Sequence, residues 1–284
     1  MAIKWLDAKR LQGTNAERLA LTINGGTDAT NSGATQVTSP SGLSALGTYS
    51  WEFDENTPSF LTIPYDLTNY ASFTVSFWIH PNHASGVTHG EHIWRNGASG
   101  SDLIVMNFYN YTGQGNFQFN VGSSAQVFID TISDNTWVHI TCVKDGDNIA
   151  VYKNGAAGGG SPDTDTGAGS GAHAGSGTFY IGKWSGGEAI DGDLKQFLLY
   201  DAALPRLGET NSVEAIYKDG LGTTTPPTDN LLVNYNFQQA DSSALTNQAT
   251  THPNLPNGTI FNELDTYKYF MWNGTDTWNQ MVSS

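Results

Sequence analysis

The sequence predicts an all-β sandwich or barrel, and three observations carry that reading. Ten short segments mix apolar and polar residues with strand-like alternation: SFLTIPY, FTVSFWIHP, DLIVMNFYNY, NFQFNVG, AQVFIDTI, WVHITCVKDG, NIAVYKNG, TFYIGKW, DLKQFLLYD and LLVNYNF. Gly, Asn, Asp or Pro turns separate them at a spacing of roughly ten residues, as in sandwiches and barrels. Composition agrees, since 32 glycines alongside 8 Trp, 12 Tyr and 13 Phe read as loop-rich and sheet-forming. Only IKWLDAKRLQG and GETNSVEAIYKDG read as helical, the second a short helix closed by Gly220.

At 284 residues the chain is long enough to bury about 75% of its unfolded surface, so it needs no covalent staple. The single Cys142 excludes an intrachain disulfide and a thiolate metal cluster. It shares one strand face with Val138 and Ile140 in WVHITCVK and is expected to be a buried thiol acting as a small hydrophobe. The formal net charge of −15 reflects a shortage of cations, 12 Lys and Arg against 27 Asp and Glu. Nucleic-acid binding needs cations that displace counterions from phosphates, so no nucleic-acid partner is expected. No apolar run reaches membrane-spanning length, and no membrane insertion is expected. MAIKWLDAKR is followed by no stretch of signal-peptide length. For work at an extracellular or virion surface, the expected delivery is by a removed leader, a larger parent chain, or assembly into a particle released by lysis.

Within WVHITCVKDGDNIAVYKNG, the Asp145-Gly146 pair predicts a hairpin whose two strands are neighbours. The tract from Gly155 to Gly177 is too poor in apolar residues to fold alone and reads as a long mobile loop. Paired prolines stiffen residues 220–230, and the C-terminal stretch beyond them is short for an independent core. The expected organisation is an N-terminal arm or first strands over 1–44, a sandwich over 45–222, and C-terminal strands over 223–284 packing on it.

Between Tyr49 and Gly220 the order of segments resembles the laminin-G-like, concanavalin A-like lectin family. YSWEFDENTPSFLTIPYDLTNYASFTVSFWIHP is similar to its opening strands, NTWVHITCVKDGDNIAVYKNG to its Trp-x-His hairpin, and FYIGKWSGGEAIDGDLKQFLLYDAALP to its Ile-Gly strand, bend and Tyr-Asp-x-x-Leu turn. LLVNYNFQQADSSALTNQATTHPNLPNGTI resembles a strand pair that flanks such sandwiches. The resemblance implies a jelly-roll sandwich of two antiparallel sheets with one or two short helices. It also implies calcium as the metal to look for. Lys195 and Gln196 stand where many members carry an acidic pair, which weakens that site.

The same fold carries glycoside hydrolases, which need two carboxylates flanking the scissile bond. WEFDENT places Glu52 and Asp54 on one strand face, but the third acidic position is Asn56 or Thr57, so the acid/base is missing and no enzyme activity is expected. His80, His83, His89 and His92, with Glu91, crowd HPNHASGVTHGEH, but their spacing matches no zinc signature and reads as a polar rim loop. Calcium suits loop carboxylates better; Asp191 with Asp193 is the candidate pair, and Asp145 with Asp147 another. Each of these is also an ordinary turn residue. Serine-hydrolase elbows and phosphate-binding glycine loops are absent.

Sugars present apolar CH faces and hydroxyls, so a lectin-like site wants aromatics beside amides or carboxylates. Trp94 with Asn96, Tyr109 with Tyr111, and Trp184 with Glu188 are the candidates, each aromatic being equally a packing residue. The function expected is therefore surface display or adhesion: a structural or decorating virion subunit whose partners are neighbouring subunits or further copies of itself, with cell-surface glycan as a further partner. The alternative is a free carbohydrate-binding module of a larger extracellular protein.

Overall fold

A computed structural model describes residues 4–7, 10–13, 28–54, 59–82, 90–97, 103–111, 115–122, 124–160, 163–169, 177–182, 190–208, 210–240, 244–249, 260–272 and 278–281; the side chains of 4–13, 109–116, 263 and 272–279 lie outside the description. Among these residues the strands assemble into three sheets. One runs, in spatial order, β11 (Ala125–Ile129), β10 (Gly115–Val121), β9 (Ile104–Tyr111), β8 (Glu91–Asn96), β16 (Phe179–Ile181), β6 (Phe60–Ile63), β3 (Ala29–Ser32) and β19 (Ala244–Leu245). The second runs β14 (Ala156–Ala157), β13 (Asn148–Lys153), β12 (Val138–Asp145), β7 (Ser72–Pro81), β17 (Gly192–Tyr200), β5 (Tyr49–Phe53) and β4 (Thr35–Thr38). In it β15 (Thr164–Thr166) also lies on β13, and β18 (Leu231–Tyr235) on β17. Every ladder in these two sheets is antiparallel, as the jelly-roll expectation requires.

Alternation fixes what each sheet buries. Phe73, Val75, Phe77 and Ile79 of β7 and Ile140 and Cys142 of β12 face inward, and so do Phe117 and Phe119 of β10. The sheets meet where Phe73 packs edge-on to Phe119, ring centroids 6.4 Å apart, and Phe179 to Phe197 at 6.0 Å. Trp94 is 0% exposed in this core, 5.8 Å from Phe119 and 5.6 Å from Phe179. Cys142 is buried, and burial pushes its thiol well above the usual range. Asp145 pairs with Asn148 across the expected hairpin, with Gly146 at φ 56° in the turn.

A bulge in β17 governs the outer side of the second sheet. Gln196 adopts φ 46° and the register with β7 shifts between Lys195 and Phe197, so two consecutive polar residues leave the core before Phe197 re-enters it. Lys195 Nζ donates to Ser39 Oγ (3.0 Å), the Leu43 carbonyl (3.1 Å) and the Gly47 carbonyl (2.8 Å), which fastens residues 39–47 over Trp78 and Trp137. Burial lowers the Lys195 pKa to about 8. The single turn α1 (Val213–Tyr217) covers the same face; Ser212 Oγ accepts from Ala215 N, and Lys218 ends the helix in a left-handed conformation. Tyr217 stacks on Trp78, and His139 lies beside both, at 4.9 Å from Trp78 and 5.7 Å from Tyr217, its Nε2 2.8 Å from Ser76 Oγ.

Several expectations need correction. The opening segment is two strands, β1 (Lys4–Asp7) and β2 (Arg10–Gly13), not a helix. They belong to the third sheet, with β20 (Ile260–Glu263), β21 (Tyr269–Trp272) and β22 (Trp278–Met281), and β2 runs parallel to β20. That partner lies at the far end of the chain, and a short helix without packing is marginal, so tertiary pairing decides the outcome. Within the stretch expected as an arm or first strands, residues 29–38 are strands of both large sheets, with β3 beside β6 and β4 beside β5. The Gly-rich tract contributes β14 and β15 along the β13 edge, where Asp165 Oδ2 accepts from Gln126 N at 2.9 Å.

Two outcomes test this packing. His92 and His139 are buried and neutral, both with pKa values lowered to about 3 from 6.5. The unfolded chain therefore binds more protons between pH 6.5 and 3, so stability is full above 6.5 and falls as pH drops through that window. Each histidine is expected to cost about 1.4 kcal/mol per pH unit below 6. Urea titrations at stepped pH should show that slope, and His139→Asn should remove one histidine's share of it. Trp94→Ala should cost about 3–5 kcal/mol in the same assay.

Candidate functional site

The strands that bury Phe117, Phe119 and Met106 inward must present their alternate residues outward. On the outer face of the first sheet this produces two rows. In one, Phe128, Gln118, Asn107 and His92 stand opposite one another across β11, β10, β9 and β8. In the next, Gln126, Asn120, Val105, Arg95, Tyr180, Thr62 and Thr30 continue across to β3. Gln118 is 3% exposed and Asn107 6%, while Asn120 and Tyr180 are half-buried.

Three amide atoms on this face are buried without a hydrogen-bond partner: Asn107 Oδ1, Gln118 Nε2 and Asn120 Oδ1. A buried polar atom left unpaired costs about 1–3 kcal/mol, so such atoms mark places where something else completes the bonding. Two acceptors and a donor on adjacent strands suit hydroxyl groups, since each hydroxyl both donates and accepts. From β10 to β16 the rows extend across about 14 Å at a strand spacing near 4.8 Å. Half-buried Tyr180, edge-on to half-buried Phe60 at 5.8 Å, adds apolar ring surface at that end. Arg95 Nε is bonded to the Gly97 carbonyl at 2.9 Å, and desolvation together with the nearby guanidinium keeps His92 neutral.

The residues expected to bind sugar are placed differently. Trp94 faces the core, because the bulge between His92 and Trp94 sets it opposite Met106, and an indole enclosed there cannot meet a sugar. Asn96 is structural: its Oδ1 accepts from Leu67 N at 2.8 Å and its Nδ2 donates to Asp66 Oδ1 at 2.9 Å. Burial would raise the Asp66 pKa, but bonds from Thr68, Asn96 and Gly177 outweigh it and hold the carboxyl below the ordinary value. Tyr109 and Tyr111 fall in β9 with their side chains outside the described residues, and Trp184 and Glu188 lie outside them entirely. The outward amides were legible in the alternation of NFQFN and VMNF, where each polar residue sits between inward apolar ones.

The calcium and histidine candidates are spread over both large sheets and the loops between their strands. Asp193 accepts from Ser50 Oγ at 2.8 Å, and burial raises its pKa toward the neutral form. The Asp191 carbonyl accepts from Asn82 N. The Asp193 carboxyl is thus engaged within the fold, whereas a hard cation takes six to eight oxygens. Among the described residues no group of three His, Cys, Asp or Glu side chains is placed to hold a metal ion. His80 and His92 belong to different sheets, His80 against Trp137 at 5.3 Å; His83 and His89 lie outside the described residues. His92 thus sits in a strand rather than a rim loop. Glu52 is exposed on β5, opposite Asp193. No helix among the described residues is long and apolar enough to cross a membrane.

Comparison with known proteins bears on the fold. No curated protein sequence matches this chain. Among solved structures, the full-length tailspike protein 2 of Escherichia coli O157:H7 bacteriophage CAB120 is similar at 11% identity with a TM-score of 0.51, over 76% of this chain and 30% of the tailspike. Domain 4 of an extracellular arabinanase from Geobacillus stearothermophilus, in complex with arabinotriose, is 17% identical with a TM-score of 0.48, over 64% of this chain and 84% of that domain. A heptameric pentraxin from Limulus polyphemus is 19% identical with a TM-score of 0.45, over 80% of this chain and 97% of that one. The model of one family matches residues 54–206, more than half of the sequence, and with the two-sheet jelly roll it places this chain in the concanavalin A-like lectin/glucanases superfamily.

Proposed function

We propose that this chain is a non-catalytic display or adhesion module that binds neutral glycan on the outer face of its eight-stranded sheet. The observation that carries the reading is the set of unpaired buried amide atoms on Asn107, Gln118 and Asn120, on the sheet face that Tyr180 shares at its other end. The lack of chemistry is argued from WEFDENT, where Asn56 and Thr57 stand at the positions a hydrolase gives to its further carboxylate. The amides and hydroxyls of the face bind sugar without a metal.

A virion or other extracellular surface is the setting proposed. The scarcity of cations suits display better than nucleic-acid contact, and a fold of this kind occurs in a phage tailspike. The third sheet supports an attachment role, since Tyr269, Met271 and Met281 are exposed on it. Deleting residues 1–44 is a poor test of attachment, because it also removes β3 and β4 from the sandwich.

A glycan array probed with the full chain should return neutral oligosaccharides, and Asn107→Ala with Gln118→Ala, in a variant that keeps the wild-type circular dichroism spectrum, should weaken binding by about tenfold or more. Binding unaffected by the double substitution would sink the site, and release of reducing ends from a bound polysaccharide would sink the non-catalytic reading. For attachment, light scattering should show an oligomer that Tyr269→Lys with Met271→Lys dissolves; a wild-type monomer removes that half of the proposal.

A further inference from the structure

A cavity of about 620 Å³ opens on the outer side of the nine-stranded sheet, over the hairpin of β12 and β13 and the neighbouring β15. Strand parity builds its floor. Ile140 and Cys142 of β12 and Ile149 and Val151 of β13 turn into the core, so Val143, Asp145, Asn148 and Ala150 turn out. The ladders align them in two rows, Asp145, Asn148 and Thr166 in one and Val143, Ala150 and Thr164 in the next. The first row offers side-chain oxygens and the second mainly methyl groups, about 6.7 Å further along the strands.

Leu204 and Pro205 form a side wall that is pinned in place: Thr74 Oγ1 donates to the Ala202 carbonyl at 2.8 Å and accepts from Leu204 N at 2.9 Å. The polar groups are open to solvent, since Asp145, Asn148, Thr164 and Thr166 line the cavity and are all exposed. Ser72 Oγ donates to Asp145 Oδ1 at 3.4 Å, longer than an ordinary hydroxyl bond, so this carboxylate is lightly held. Asp165 is fixed in the rim by Gln126 N at 2.9 Å and Thr166 N at 2.8 Å, and it adds a second negative charge. Among the described residues that line the cavity none is Lys, Arg or His.

We infer that this cavity receives an alkylammonium group, its charged end at Asp145 and its carbon stem over Val143 and Ala150 beside Leu204. A lysine-type chain lays its stem on apolar surface and keeps its ammonium in water, which is the division this floor presents. A bare metal ion gains nothing from methyl groups and asks for six to eight oxygens, and an anion meets two carboxylates with no cation beside them. The volume falls within the roughly 300–1,000 Å³ of small-ligand sites, and the net charge of −15 draws cations toward the molecule. The site lies on the opposite sheet from Asn107 and Gln118 and stands independently of the glycan reading there.

The test is an NMR titration of the full, methyl-labelled chain with n-butylammonium and with Nα-acetyl-lysine methylamide. Nα-acetyl-norleucine methylamide, which lacks the charge, and hexanoate, which reverses it, are the controls. At least one cation should shift the methyl signals of Val143, Ala150 and Leu204, and each control should bind about tenfold more weakly or worse. Asp145→Asn should weaken the response by about tenfold, whereas Asp134→Asn, which removes an equal charge from an exposed turn elsewhere, should leave it within about twofold. Should Asp145→Asn fail to fold, Ala150→Leu, which fills the floor from an outward position, is expected to abolish the shifts at Val143 and Leu204. Binding of either cation upholds the inference, and the tighter of the two tells a polypeptide side chain from a free amine. Signals that neither cation moves overturn it. Equal losses in Asp145→Asn and Asp134→Asn overturn it as well, because they mean attraction to overall charge, and so does equal binding of the norleucine derivative, which means apolar contact alone.

Discussion

One extra residue in β17 decides how the outer side of the nine-stranded sheet is built. Without the bulge, strict alternation would send either Lys195 or Gln196 into an apolar core, where an unpaired amide or ammonium is costly. With it, both point outward and each takes up acceptors: the ammonium gathers residues 39–47, and the amide reaches Thr223. Residues 39–47 then shelter Trp78 and Trp137 through Leu43 and Leu46. The same strand is paired along one edge with β7 and along the other with β5 and then β18, so displacing its register would disturb most of the sheet.

Much of the fold was legible because strand alternation is local. SFTVSFWIHP, VHITCVKD and GNFQFNV announce their inward residues with no knowledge of their partners. The illegible parts required partners distant in sequence. EHIWRN carries four polar residues in six and a bulge after His92, so it shows neither alternation nor an apolar run, and Glu91 and His92 read as loop although every position is buried. KWLD and RLQG look helical until the far strand that pairs with them is known.

The site residues divide in the same way. Choosing Trp94 and Asn96 followed residue type, aromatic beside amide, and ignored the direction in which a bulged strand turns each side chain. Asn107, Gln118 and Asn120 are chemically plainer, yet strand parity turns them away from the core and leaves an amide atom of each unpaired. Asp193 shows the converse: a carboxylate that suits a cation by residue type is a strand residue bonded to Ser50. Residue type proposes a role, and the parity of the strand selects among the proposals.

The parallel ladder between β2 and β20 has a consequence for how the protein comes into being. A parallel pair whose members are separated by nearly the whole chain cannot form while the intervening residues are still being made, and joining such distant segments is entropically slow. Residues 29–249 contain every strand of the sandwich, so they can condense on the ribosome ahead of it. Arg10–Gly13 then waits for Ile260–Glu263 to emerge, making the terminal sheet the last part of the molecule to assemble.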